Sequence, residues 1–193
     1  VIVVAYLVAE GLHLLAEKVN RDADTAEMPF RAAMPGHQVY STLHTHSALG
    51  AVPRLLDIGV LPDIMAGNII GVVAQRLVRK LCPHCKKPYR PEAHETRLLG
   101  LADDAPPPTL YRASGCEHCE YQGYRGRQAI MELRRMDADL DELVARRATN
   151  REIKQAALAK GFRTLAEDGL RRVREGSTSL EEVGRVVDLT ERM

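Results

Sequence analysis

Cys82-Pro-His-Cys85 and Cys116-Glu-His-Cys119 determine how the middle of this chain folds, and they contain all four of its cysteines. Each stretch places two thiols three positions apart, a spacing that lets one tight turn bind a single ion. Two such turns supply the tetrahedral set of four sulfurs that zinc prefers. We therefore predict a structural Zn2+ site with Cys82, Cys85, Cys116 and Cys119 as its ligands. Four protein ligands leave no open coordination position, so we expect no catalysis at this ion.

Other interpretations of this region stay open. A single C-x-x-C can be a redox pair, although two matched pairs favour a metal. His84 or His118 could replace one cysteine as a ligand, although four thiols make that unnecessary. The acid-free basic stretch 76–90 is compatible with a zinc ribbon that binds nucleic acid. Aromatic side chains that stack on bases are sparse there, so we expect a solvated basic surface and no nucleic acid.

The composition is that of an ordinary globular chain. Of its 193 residues, 45% are hydrophobic and 27% are charged, and the net charge is +1. These values disfavour extensive disorder and a bulk attraction to nucleic acid or anionic membranes. No run of about 20 apolar residues occurs, so we predict no transmembrane segment. The first residue is Val1 rather than Met, and we expect the chain to begin inside a longer protein.

The first eighty residues alternate between helix and strand signals. A helix is expected to start near Asp22 and to kink or end at Pro29, where an interior amide is missing. A short strand is predicted within 36–43. Ser47 is a candidate N-cap for a helix near 48–57, and a long helix is predicted from Pro62 to Leu81. This is an α/β pattern.

The last fifty residues predict three short helices. Thr149, Thr164 and Thr178 are each followed three positions later by a glutamate, which is the capping-box pattern. We predict helices near 150–160, 164–175 and 178–188. Their expected common core is formed by Leu158, Leu165, Leu170, Val173, Leu180 and Val183.

A series of motifs in a fixed order runs along most of the chain. The motifs are Arg21-Asp-Ala-Asp-Thr-Ala-Glu27, Ser41-Thr-Leu-His-Thr45, Arg54-Leu-Leu-Asp-Ile-Gly59, Ala74-Gln-Arg-Leu77, the two cysteine pairs, Gly123-Tyr-Arg-Gly126 and Glu132-Leu133. Together they resemble the C-terminal half of the secretion traffic ATPases of type II secretion and type IV pilus assembly. The resemblance covers about Arg21 to Val187.

This resemblance implies an α/β fold with three parts. The expected domains are part of a RecA-like P-loop ATPase domain at 1–81, a tetracysteine zinc element with its return to the core at 82–136, and a C-terminal three-helix extension at 137–193. The sequence G-x-x-x-x-G-K-[ST], whose backbone cradles phosphates, does not occur in the chain. We therefore expect the phosphate-binding half to lie upstream of residue 1.

The resemblance also implies a nucleotide site that uses ATP and Mg2+ in the intact enzyme. His44 matches a histidine near the γ-phosphate, and Thr42 precedes it on the same strand. Arg21 and Asp22 match the end of an acidic motif that positions magnesium and water. Glu17 is the nearest carboxylate for that motif, but it stands two residues before the family's glutamate position.

Such ATPases are cytoplasmic hexamers that dock on an inner-membrane platform protein and move pilins or pseudopilins. By resemblance, we expect the same location and partners here, with a chain that is inactive alone. The first alternative is a non-catalytic, zinc-stapled interaction module that docks to the platform. The second is a zinc-ribbon nucleic-acid binder.

Overall fold

The computed structural model describes residues 13–19, 23–35, 38–101, 106 and 108–190. The first half contains β1 (His13–Val19), α1 (Ala23–Ala33), β2 (Gln38–Thr42), α2 (Ala51–Asp57), α3 (Pro62–Met65), β3 (Gly71–Leu81), β4 (Lys87–Tyr89) and α4 (Ala93–Leu98). The second half contains β5 (Leu110–Arg112), a 3-10 turn (Glu117–Cys119), β6 (Tyr124–Arg135), α5 (Ala138–Ala145), α6 (Asn150–Ala159), α7 (Leu165–Arg174) and α8 (Leu180–Val186). The mixture of helices and strands agrees with the α/β prediction.

The strands form three small sheets in the described part of the chain. β1 pairs with β2 in parallel, β4 pairs with β5 antiparallel, and β3 pairs with β6. The chain divides into two compact units, and the boundary falls within β3 and within β6. Unit 1 comprises the residues up to Gln75 and Met131–Arg163, whereas unit 2 comprises Arg76–Ile130 and the residues from Thr164 onwards.

The predicted long helix from Pro62 to Leu81 is wrong. The helix α3 is a single turn that ends at Met65, and Gly67 then adopts a positive φ of 75°. The rest of the segment is strand β3, in which Val72, Ala74 and Val78 are buried. Buried positions two apart fit a strand, and β-branched valine favours it. The apolar pairs at 72–73 and 77–78 also fit a helical period, which explains the error.

Two helix boundaries near the start differ from the prediction. Helix α1 continues through Pro29 to Ala33, so it does not end at the proline. Ala26, Phe30 and Ala33 are buried on one face, and this burial offsets the missing amide. Helix α2 begins at Ala51 rather than near 48, and the Ser47 hydroxyl accepts from the Gly50 amide, at 3.1 Å, in the turn that precedes it.

The three predicted C-terminal helices are present as α6, α7 and α8, but a fourth helix, α5, precedes them. The Asp137 carboxylate caps α5 by accepting from the Leu140 amide at 3.2 Å. Among the described residues, the C-terminal extension therefore contains four helices rather than the predicted three. The sequence prediction missed α5 because it is short and carries three acidic residues.

The predicted common core of these helices is confirmed for α7 and α8 but is wrong for Leu158 of α6. Helix α6 belongs with α5 in unit 1, whereas α7 and α8 belong to unit 2. Leu158 of α6 is 43% exposed. A hydrophobic core of unit 2 combines the predicted Leu170, Val173, Leu180 and Val183 with Leu98, Leu99, Leu110 and Leu189.

The capping boxes at Thr149 and Thr164 are confirmed, but α8 is capped by Ser179 rather than Thr178. The Ser179 hydroxyl accepts from the Glu182 amide at 3.2 Å. The buried Thr178 hydroxyl instead donates to the carbonyl of Arg79 at 2.8 Å. A tertiary contact to β3 thus displaces the local cap by one residue.

Glu182 of α8 is a fully buried carboxylate that two arginines surround. Nε and Nη2 of Arg79 lie 2.9 and 2.6 Å from its Oε2, and the Arg79 amide lies 3.0 Å from its Oε1. Arg185 adds bonds of 3.0 and 2.8 Å. Burial raises the pKa of Glu182, but the hydrogen bonds from Arg185 and Arg79 outweigh it and lower the pKa to about 2. The ionised carboxylate therefore ties β3 to α8 within unit 2.

None of the described helices is long and apolar enough to cross a membrane.

Glu182→Gln should destabilise the folded chain by about 3 kcal/mol at neutral pH, because folding lowers the carboxyl pKa from 4.5 to about 2. This contribution is complete above the unfolded pKa and is lost as the pH falls towards the folded one. The difference between wild type and variant should therefore shrink to roughly half near pH 3. Urea unfolding at both pH values measures it, with the exposed neighbour Glu181→Gln as the matched control. A difference that does not change with pH would contradict the ionic role.

Candidate metal centre

The four cysteines come together in unit 2 from two turns that flank paired strands. Cys82 and Cys85 follow the last residue of β3, and Cys116 and Cys119 frame the 3-10 turn that precedes β6. The amide of Cys82 donates to the carbonyl of Gly123 at 3.0 Å, which joins the two turns. All four Sγ atoms lie within 4.8 Å of one another. The pairing of β3 with β6 therefore builds the cluster that the sequence predicts.

The sulfur separations fit a tetrahedral metal site. Sγ of Cys116 lies 3.9 Å from that of Cys82 and 3.8 Å from that of Cys119, and the Cys85 and Cys119 sulfurs are 3.8 Å apart. Zinc–sulfur bonds of about 2.3 Å in a regular tetrahedron require sulfur pairs about 3.8 Å apart. A disulfide needs about 2.05 Å, and all four cysteines are free. Zn2+ thus suits this set of four thiol donors.

Backbone amides point at the sulfurs. The Gly115 amide lies 3.3 Å from Cys85 Sγ, and the amides of Gly123 and Cys116 lie 3.2 and 3.3 Å from Cys119 Sγ. Such donors stabilise thiolate charge and orient metal ligands. The sequence prediction did not assign these amides to the site, although a glycine before and after the second cysteine pair was a usable signal.

The two glycines are required by their backbone shape. Gly115 has φ of +107°, and a Cβ there would lie 2.6 Å from the carbonyl oxygen of Tyr121. Gly123 has φ of +75°, and a Cβ there would lie 2.6 Å from Cβ of Ala113. Any side chain would displace an amide that faces a sulfur. The close approach of the backbone to the cysteines therefore depends on glycine at both positions.

Two of the thiols have pKa values that are shifted in opposite directions. Burial raises the pKa of Cys119, but the amides of Cys116 and Gly123 outweigh it and lower the pKa to about 7. Burial raises the pKa of Cys116 to about 12, helped by hydrogen bonding to the sulfurs of Cys85 and Cys119. The backbone amides therefore stabilise the charged form of the Cys119 thiol, which is the form that binds a metal.

The histidines of the two turns lie outside the group of sulfurs. His84 and His118 are exposed, and their rings meet edge to face with centroids 4.2 Å apart. Neither ring supplies an atom to the ligand group. The alternative in which a histidine replaces a cysteine therefore has no support from the geometry.

The residues predicted for the nucleotide site belong to unit 1, whereas the four cysteines belong to unit 2. β1 and β2 run in parallel, with Ala16 paired to Ser41 and Val19 to Thr42. Parallel strands end at the same edge, so the chain leaves β1 and β2 on the same side. The strand β2 ends at the half-buried Thr42, and His44 follows it with an exposed side chain.

The other predicted residues of that site are less well defined. Glu17 lies in β1, within an irregular stretch of the pairing between Ala16 and Val19. Arg21 and Asp22 lie outside the described residues. The backbone therefore places Glu17 on the strand beside β2, and the roles of Glu17, Arg21 and Asp22 stay predictions.

The matching family model and the similar proteins agree on one family. A family model described as "Type II/IV secretion system protein" matches residues 20–185. "Type II secretion system protein E" of Pseudomonas aeruginosa is 48% identical over 166 residues, which are 86% of this chain and 33% of that protein. "Type IV pilus assembly ATPase PilB" of Thermus thermophilus is 43% identical over 164 residues, which are 84% of this chain and 18% of that protein. The chain thus spans a third or less of these two relatives.

Solved structures share the fold. The pilus retraction motor PilT with bound ADP superposes with a TM-score of 0.60 at 19% identity, covering 91% of this chain and 39% of that one. The ATPase DotB of Legionella pneumophila gives a TM-score of 0.58 at 16% identity, covering 92% and 38%. From residue 20 to residue 185, this chain belongs to the type II/IV secretion system protein family.

Proposed function

We propose that this chain is the C-terminal part of an ATP-hydrolysing motor that drives type II secretion or type IV pilus assembly. The observation that carries the proposal is the identity of 43 to 48% with relatives named for these systems, across more than four fifths of the chain. His44 lies within the matched region, at the end of a strand that is paired in parallel. An exposed imidazole at a strand end suits a residue that must reach a ligand.

In the intact enzyme, this chain would supply one side of the site for ATP and Mg2+. His44 would approach the γ-phosphate, where an imidazole can donate a hydrogen bond to a phosphate oxygen. The Thr42 hydroxyl and the Arg21 guanidinium would orient the nucleotide, and Asp22, with Glu17 as the nearest further carboxylate, would hold metal-bound water. ATP supplies the phosphoryl group, and a separate phosphate-binding loop would hold its β- and γ-phosphates.

The zinc would be purely structural. Four thiolates fill a tetrahedral shell, so no position remains for water or a substrate. The ion would staple the turn after β3 to the turn before β6, in a stretch that also contains three consecutive prolines at 106–108. Structural zinc of this kind contributes about 10–16 kcal/mol of binding energy to folding in small peptides.

The proposed setting is the cytoplasmic face of the bacterial inner membrane. There the motor would form a homo-hexamer and act on a platform protein, with ATP hydrolysis driving pilin or pseudopilin movement. A role in nucleic-acid binding is disfavoured, because part of the basic stretch is engaged within unit 2. Arg79 binds Glu182, and Lys86 donates to the carbonyl of Gly176 at 2.9 Å.

A second candidate is a non-catalytic interaction module that docks to the platform. The absence of G-x-x-x-x-G-K-[ST] from the sequence favours this candidate for the chain by itself. A phosphate-release assay with Mg-ATP on the isolated chain tests the inactivity that both candidates expect of it, and the hybrid enzyme described below separates them, because only the first candidate gives His44 a catalytic role. No release above a protein-free control is expected, and turnover that His44→Ala abolishes would contradict the expected inactivity of the isolated chain.

The purified chain should contain one zinc ion per polypeptide, held by all four cysteines. Cys82→Ser and Cys119→Ser should each lose it, because three thiolates cannot close the shell. Elemental analysis with native mass spectrometry measures the stoichiometry. The matched controls are His84→Ala and His118→Ala, which change the same two turns outside the sulfur group. Loss of zinc in either histidine variant, or its retention in both serine variants, would contradict the four-cysteine assignment.

The catalytic role of His44 is testable in a hybrid enzyme. Residues 20–185 of this chain replace the matched segment of the Pseudomonas aeruginosa relative, so that the remainder comes from that protein. His44→Ala should lower kcat by about 10²-fold, the loss expected when one donor to a developing phosphate charge is removed. The matched control is the exposed His94→Ala in α4, which should leave kcat unchanged. Equal rates for all three hybrids would contradict the proposed role.

A further inference from the structure

The loop after β2 has two buried ends and an exposed middle. Leu43 and Ala48 are both 1% exposed, whereas His44 and His46 project into solvent. Within the loop, the Ser47 amide donates to the Thr45 hydroxyl at 3.2 Å. The loop therefore has a local turn that carries His44, and the position of that turn depends on how its ends are fixed.

Glu132 of β6 fixes the second end. Its carboxylate oxygen Oε1 accepts a hydrogen bond from the Ala48 amide, across a separation of 84 residues in sequence. Glu132 is 3% exposed and alternates with exposed Met131 and Leu133, so its side chain lies on the inner face of β6. Glu132 and Ala48 both belong to unit 1.

Holding a loop with a buried carboxylate is unfavourable for the free energy of folding. Burial of an ionised group costs several kcal/mol unless hydrogen bonds compensate it, and an apolar residue would fill the same space at no such cost. A charge-assisted bond to an amide is also about twice as strong as a neutral one. Such a cost in folding free energy is expected where a fixed position of the loop matters more than the stability that an apolar residue would add.

We propose that Glu132 is a positioning residue that holds the His44 loop in its catalytic geometry through the Ala48 amide. This inference rests on the proposed function of His44 in ATP hydrolysis. In this role Glu132 touches neither nucleotide nor metal and acts through the loop. Glu132→Ala removes the acceptor, whereas Glu132→Gln keeps an oxygen that can accept from the same amide.

The first test measures the loop in the full chain, without nucleotide. Hydrogen exchange of the Ala48 amide should accelerate by about tenfold in Glu132→Ala and by less than about threefold in Glu132→Gln, since loss of one charge-assisted bond corresponds to a factor of this order. The exposed Glu142→Ala in α5 is the matched control and should leave the Ala48 amide unchanged. Unchanged exchange in Glu132→Ala would overturn the proposal, whatever His44 does.

The second test uses the hybrid enzyme and a double-mutant cycle. Glu132→Ala should lower kcat by about tenfold or more while KM for ATP changes little, because a misplaced group is lost mainly from the transition state. In the His44→Ala background, Glu132→Ala should have almost no further effect. Fully additive losses would show a general structural role and overturn the proposal. If His44→Ala alone has no effect, the proposed function fails, and the exchange experiment still decides the loop contact.

Discussion

The approach of four cysteine sulfurs to tetrahedral separation is the constraint on which unit 2 depends. Cys82 and Cys119 are buried, and the turns that carry them are joined by the amide of Cys82 and the carbonyl of Gly123. Three sulfur pairs lie 3.8–3.9 Å apart and all four sulfurs lie within 4.8 Å, so four thiolates would repel one another without a cation between them. A metal ion bound among the sulfurs would convert that repulsion into attraction, and the glycines at 115 and 123 provide the backbone shape that brings amides to the sulfurs.

Polar contacts connect the cysteine turns to the rest of unit 2. Lys86, next to Cys85, donates to the carbonyl of Gly176, and its ammonium also lies 4.3 Å from the ring centre of Tyr111. Leu81 donates its amide to the Ser177 carbonyl at 2.9 Å. The segment between α7 and α8 is thus held against the end of β3, and Glu182 completes the connection with its two arginines.

The sequence correctly predicts features that depend on residues a few positions apart, and it fails for features that depend on the pairing of distant segments. The cysteine spacing alone predicted the four-sulfur group, and two capping boxes predicted the starts of α6 and α7, because these signals involve residues a few positions apart. The segment of β3 is predicted as a helix, because its apolar residues fit the periods of both a helix and a strand. Its pairing with β6 leaves no signal in neighbouring residues. The Ala48–Glu132 bond was also missed, because no short-range pattern links residues that are 84 positions apart. The strand before His44 is predicted from the local pattern at 36–43, whereas the role of His44 comes from motif resemblance.

The dependence of unit 2 on metal is tested most directly by hydrogen exchange before and after removal of the metal. The zinc-loaded chain is compared with chelator-treated chain under reducing conditions at neutral pH. Loss of protection is expected across α7, α8 and the paired ends of β3 and β6, whereas α5 and α6 of unit 1 keep theirs. Unchanged protection of α7 and α8 after complete metal removal would contradict the account.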